Sequence, residues 1–128
     1  MAVYLLDSSI IIDALNRKRD RWQLLGSLVA AGDALACSAV SVAEIYAGMR
    51  PHESFKTQTF LEQIEHYAID FELARYAGIL KNEWARKGRT LSLDDIVIAA
   101  TALMHKLVLV TDNRKDFPMP DLVLYPAI

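Results

Sequence analysis

Cysteine is nearly absent from this chain of 128 residues: Cys37 stands alone, which excludes an internal disulfide and a multi-cysteine zinc site. Long hydrophobic runs are missing too. Apolar stretches such as residues 96–104 fall well short of the ~20 residues needed to cross a bilayer. No basic segment precedes a signal-type apolar core at the start, where residues 1–6 run straight into Asp7. These absences lead us to expect a soluble, cytoplasmic protein in a reducing compartment, with no membrane partner. Neither sign of charge prevails, since 14 Lys+Arg against 16 Asp+Glu leave a net charge of -2. That argues against gripping nucleic acid by bulk electrostatics. A nuclease stays possible, because an acidic metal site and a basic substrate path cancel in the sum. Glycine (5) and proline (4) are few and scattered, with no repeat, low-complexity tract or linker. What is present is a 53% hydrophobic and 23% charged composition, enough to build a core and sized for a single domain over residues 1–128.

Apolar runs at residues 3–6, 34–38 and 107–110 read as buried strands, with a weaker one at 67–69 and a final edge strand at 122–125 before Pro126. Helical stretches lie between them: residues 10–15, capped by Ser8 or Ser9, then 21–31, 41–49, 54–65, 71–86 and 92–105. Gly32 and Gly88 are placed to end two of these helices, and Pro51 halts another. Strands separated by helices predict an α/β fold with a mostly parallel central sheet of 4–5 strands flanked by helices. The strands are continuous apolar runs, as expected when both faces of the sheet are covered.

In such sheets ligands bind beyond the carboxyl ends of the strands. Asp7 directly follows the first strand; Asp112 and Asp116 follow residues 107–110. Glu44, expected in the first turn of the helix after the second strand, and Asp95, at the start of the helix before the last clear strand, return to the same edge. Asp94 adds negative charge beside Asp95. At ~4 Å two such charges repel by ~4 kcal/mol at an effective dielectric of ~20. No Lys or Arg lies in the first strand or at the start of the helix from residue 92 to relieve that. A hard divalent cation resolves the conflict, and an all-oxygen set favours Mg²⁺ or Mn²⁺ over Zn²⁺. Such an ion binds a phosphate oxygen and helps form an attacking hydroxide, the chemistry of phosphodiester hydrolysis.

Each acid also has a plainer explanation. Ser41-Val42-Ala43-Glu44 and Ser92-Leu93-Asp94-Asp95 have capping-box spacing, and Asp112-Asn113 suits a turn. Those roles account for the acids separately, not for their arrival at one edge. Elsewhere the sequence is bland. Asp13 reads as a solvated acid, Trp22 and Trp84 as packing, and Cys37 as inert core. His52, His66 and His105 are dispersed without ligand spacing. Arg17-Lys18-Arg19 reads as solvated charge, whereas Arg86-Lys87-Gly88-Arg89 and Arg114-Lys115 sit in loops near the proposed edge, suited to holding phosphates.

Four segments in order carry a further signal: Tyr4-Leu5-Leu6-Asp7-Ser8-Ser9, Ser41-Val42-Ala43-Glu44-Ile45, residues 93–102, and residues 109–117. Together they resemble the PIN-domain ribonucleases, and within them the VapC-type toxins of bacterial toxin–antitoxin pairs. The likeness spans essentially the whole chain. It implies a metal-dependent endoribonuclease with Asp7, Glu44 and Asp95 around Mg²⁺ or Mn²⁺. Asp95 takes the family position rather than Asp94 because it stands three residues before Ile98-Ala99-Ala100. The fourth acid is Asp116 or Asp112, with Asp116 matching the version of the last motif that ends in Asp-Phe. Relatives that carry the acid where this chain has Asn113 do not match it. Ser9 and Asn113 match polar positions that support the carboxylates through hydrogen bonds. The resemblance also implies an RNA substrate, a homodimer, and a cognate antitoxin that inserts an Arg or Lys near the metal ligands.

Three other functions fit a chain of this kind. An RNA-maturation nuclease of the same fold would share the site. A phospho-receiver would need an acceptor at Asp70 and a lysine close after the last strand, where Lys115 is the nearest. A non-catalytic binding module would gain nothing from mutually repelling acids.

Overall fold

In the computed structural model, which describes residues 1–126, the first apolar run forms strand β1 (Val3–Leu6) and the next forms β2 (Ala34–Ser38). With β3 (Glu65–Tyr67) and β4 (Val108–Val110) they make a four-stranded sheet in the order β3-β2-β1-β4, every pair parallel. Helices fill each crossover. Helices α1 (Ser8–Leu15) and α2 (Arg21–Ala30) join β1 to β2. Next come α3 (Ala39–Ala47) and α4 (Ser54–Glu62), then α5 (Phe71–Arg86) and α6 (Leu93–His105). This is the predicted α/β architecture, with four strands.

Side chains alternate along each strand, so the sheet separates two cores. Leu5, Ala36 and Leu109 face α5 and α6, while Leu6, Leu35, Cys37 and Val110 face α1, α2 and α4. Helix α6 is buried along Ile96 to Ala102, and its small residues Ala99, Ala100 and Ala102 bring it close to its neighbours. Gly32 and Gly88 take positive φ angles, 90° and 87°, just past α2 and α5, the left-handed turn a C-terminal glycine permits. Burial pushes the Cys37 thiol up to about 11, in keeping with an inert core residue. Leu109 is fully buried in β4. Leu109→Ala is expected to cost about 2–5 kcal/mol, read as a lower midpoint in urea denaturation. Among the described residues no helix is long and apolar enough to cross a membrane.

Several boundaries differ from expectation, each for a local reason. Asp7, not Ser8 or Ser9, caps α1: its backbone is extended and its Oδ1 accepts the Ser8 N–H at 2.8 Å. Helix α3 begins at Ala39, not residue 41, because the Ser38 hydroxyl accepts the Val40 N–H at 3.2 Å. The Ser41–Glu44 capping box therefore does not form, and Glu44 lies in the second turn. Pairing with β2 sets β3 at Glu65–Tyr67 (Ser38 opposite Tyr67), which shortens α4 and leaves Ile69 outside the sheet. The predicted strand at 122–125 reduces to a parallel bridge between Leu124 and Leu109 beside the short edge strand β4.

Candidate functional site

The parallel strands deliver their carboxyl ends to one edge, and the acids collect there. Asp7 leaves β1 with its backbone N–H still bonded to the Val110 carbonyl at 3.0 Å, as if the ladder ran one residue further. The residue is only 5% exposed. The Thr111 hydroxyl donates to its Oδ2 at 2.8 Å, and Ser8 N–H holds Oδ1. Burial raises the Asp7 carboxyl above its ordinary value; the Asp94 and Asp112 charges push the same way against those two hydrogen bonds.

Glu44 reaches the same place from α3. Burial pushes its carboxyl up to about 7, reinforced by a hydrogen bond and charge from Asp94 and by Asp7, while the Ser8 hydroxyl opposes the shift. Asp94 is held below its ordinary range, chiefly by that hydrogen bond with Glu44. Ser92 caps α6, with its hydroxyl accepting the Asp95 N–H at 3.4 Å. So the capping half of the predicted box at Ser92 is present. That bond occupies the Asp95 backbone, and burial together with the charges of Asp94, Asp7 and Asp116 raises the Asp95 carboxyl. Asp7, Glu44, Asp94, Asp95 and Asp116 thus sense one another at one edge, although they come from four separate segments.

Asp112 is engaged elsewhere. Its Oδ1 accepts from Arg21 Nη2 at 2.6 Å, and Arg19 Nη1 lies 3.7 Å from its Oδ2. Arg19 also approaches Asp13 at 3.8 Å, so neither Asp13 nor this part of the basic loop is simply solvated charge. Asn113 contributes its backbone, donating N–H to the Thr111 hydroxyl at 3.0 Å. The Ser9 hydroxyl and Glu44 Oε1 are buried without a hydrogen-bond partner among the described residues. Of the basic residues near the edge, Arg89 donates to the Lys115 carbonyl and Arg114 to the Tyr125 carbonyl at 2.6 Å. These contacts tie the loops together, and among the described residues no carboxylate forms an ion pair with either guanidinium. Asp70, the acceptor a phospho-receiver would need, caps α5 by accepting the Leu73 N–H at 2.8 Å.

Sequence reasoning missed Thr111, Ser8 and Arg21. A threonine between a strand and an acid was the one available signal for Thr111. Arg21 carried none, because its partner lies 91 residues away.

Do these residues suit a divalent ion? The donors are all oxygen, three carboxylates resist ionisation, and among the described residues the buried Ser9 hydroxyl and Glu44 Oε1 lack partners. That chemistry suits Mg²⁺ or Mn²⁺. Among the described residues, no three acidic, histidine or cysteine side chains already stand arranged to hold a metal ion. The donors converge without forming a closed cage.

Comparison with known proteins agrees with this architecture. The family model for the PIN domain matches residues 4–119. Ribonuclease VapC19 of Mycobacterium tuberculosis is 31% identical over 119 residues, covering 92% of this chain and 95% of its own. The crystal structure of VapBC2 from Rickettsia felis, bound to a DNA fragment from their promoter, contains a chain 28% identical with a TM-score of 0.84, covering 96% of this chain and 97% of that one. A toxin–antitoxin complex from Klebsiella pneumoniae contains another, 30% identical with a TM-score of 0.78, covering 98% and 99%. With its parallel sheet, its acidic edge and these likenesses over nearly its full length, the chain belongs to the PIN-domain family, among the VapC-like members.

Proposed function

We propose that this protein is a metal-dependent endoribonuclease and the toxin of a toxin–antitoxin pair, acting as one PIN domain over residues 1–128. The observation that carries the proposal is the convergence of Asp7, Glu44 and Asp95 with Asp94 and Asp116 at the carboxyl edge of the sheet. Asp7 and Asp95 would hold Mg²⁺ or Mn²⁺, and Glu44 would help orient the ion or its water. Asp116 completes the pocket in preference to Asp112, whose carboxylate is taken by Arg21. When bound, the cation supplies positive charge to a phosphate oxygen and lowers the pKa of water. The protein's own part is to fix the carboxylates, with Thr111 and Ser8 holding Asp7, and to place cationic side chains at the rim. Arg89, Arg114 and Lys115 there would position the RNA backbone.

The toxin assignment is supported by the names of the relatives. The cognate antitoxin would cover the acidic pocket with an Arg or Lys, and a homodimer is the expected assembly. An RNA-maturation nuclease would share the chemistry and differ in its cellular effect. Purified protein is expected to cleave RNA with Mg²⁺ or Mn²⁺, to stop in EDTA, and to resume when the metal is restored; undiminished cleavage in EDTA would count against the proposal. Growth arrest on expression, relieved by Asp7→Asn, separates toxin from maturation enzyme.

A further inference from the structure

The pair between Arg21 and Asp112 is buried on the arginine side, where the side chain is 8% exposed, and it joins segments 91 residues apart. Its guanidinium makes two contacts. Nη2 donates to Asp112 Oδ1 at 2.6 Å and Nη1 donates to the Arg19 carbonyl at 3.0 Å. One side chain therefore clamps the loop before α2 to the residue that follows Thr111. That loop needs a clamp: Arg17, Arg19 and Asp20 all sit in the left-handed region, at φ 55°, 54° and 58°. Such conformations are costly for non-glycine residues and persist only where the surroundings impose them.

Thr111 is fixed on both sides of this clamp. Its hydroxyl donates to Asp7 Oδ2 at 2.8 Å and accepts the Asn113 N–H at 3.0 Å, with Asp112 between the two. Stability alone does not explain the pair. Buried ion pairs gain little over apolar side chains of the same volume unless all their polar atoms are matched. Here, among the described residues, Arg21 Nε and Asp112 Oδ2 are buried without hydrogen-bond partners. What the contact does well is set geometry.

We infer that Arg21 and Asp112 are positioning residues, a strut that holds the Thr111 hydroxyl and through it the Asp7 carboxylate in the acidic pocket. The inference rests on the proposed role of Asp7 in binding a divalent ion. It gives Asp112 a task other than that of fourth acid, and it makes the basic loop before α2 part of the site's scaffold.

The test compares Arg21→Met, Asp112→Leu and the double variant, using Mn²⁺ alone as the metal probe. Asp112→Leu strands the buried Arg21 charge, and Arg21→Met leaves Asp112 with only the exposed Arg19 at 3.7 Å, so each is expected to lower Tm. The double removes both charges and is expected to recover most of that loss. At its restored Tm it should still bind Mn²⁺ roughly tenfold more weakly by calorimetry, the scale of losses behind a metal ligand. Its kcat for RNA should fall by about the same factor with KM for RNA unchanged. A folded double variant with parental Mn²⁺ affinity and kcat would overturn the strut, because a purely structural pair predicts recovery of both. Should the double not fold, Arg21→Lys decides. It keeps the charge but loses the two-pronged contact, so Mn²⁺ affinity should fall, and parental affinity would overturn the proposal. A parent protein that neither binds Mn²⁺ nor cleaves RNA overturns the metal-site proposal itself, and the strut with it.

Discussion

Asp7→Asn is expected to leave a folded protein whose RNA cleavage has fallen by at least about a hundredfold, since losing the ligand proposed at Asp7 should exceed the cost of losing a group behind one. The substitution is nearly isosteric. Its remaining carbonyl oxygen can keep one of the two hydrogen bonds that Asp7 accepts, from Thr111 or from Ser8. The lost bond costs about 1 kcal/mol. Against this, the variant removes a desolvated charge that Asp94 and Asp112 repel. Stability should therefore change little, and circular dichroism and Tm should match the parent while cleavage disappears. Asp95→Asn should behave alike, because its helix-capping contact is made by its backbone N–H, not by its carboxylate. Loss of the fold together with the activity would mean that these acids are structural.

The second large effect concerns stability and pH. Without metal, Glu44 binds its proton more tightly in the folded protein than in the unfolded chain: about 7 against the ordinary 4.5. A carboxyl raised in this way contributes stability that is complete below the unfolded value and is lost as pH rises through the folded one. Asp7 and Asp95 are raised as well and act in the same direction. Asp94 is lowered, so its contribution is present above its ordinary value of 3.8 and is lost only in stronger acid. Metal-free protein should accordingly be more stable at pH 5 than at pH 8. Solvent screening of the partly exposed Glu44 limits its share to about 1–2 kcal/mol, roughly 3–8 °C in Tm for a chain of this size. Glu44→Gln should raise Tm at pH 8 by that amount and flatten the pH dependence. Saturating Mg²⁺ or Mn²⁺ should reverse the slope, since metal competes with protons for the same oxygens. A metal-free Tm that climbs from pH 5 to pH 8 would contradict the burial and crowding of these acids.

Much of this was legible in the chain. The runs at residues 3–6 and 107–110 are apolar without interruption, which only a doubly covered strand requires, and parallel strands must present their following residues at one edge. Asp7 could thus be assigned to that edge before any coordinates, whereas Asp95, at the start of a helix reached through a two-helix crossover, was expected there on weaker grounds. Sheet order was not legible, because pairing of β1 with both β2 and β4 is decided by how six helices fill two cores. Helix starts were misplaced where two hydroxyls or an acid competed for one cap: Ser38 displaced Ser41, and Asp7 displaced Ser8. Local spacing cannot rank such rivals, since each satisfies the same free N–H groups. Asp112 looked like a fourth ligand because its position in sequence says nothing of Arg21, whose guanidinium arrives through a left-handed loop that no residue pattern announces.

The most direct measurement of the central claim is an anomalous difference map from crystals of this protein grown with Mn²⁺. The account predicts a single strong peak within bonding distance of carboxylate oxygens of both Asp7 and Asp95, absent from crystals of Asp7→Asn. Well-diffracting crystals at saturating Mn²⁺ with no peak there, or a peak that survives Asp7→Asn unchanged, would contradict it.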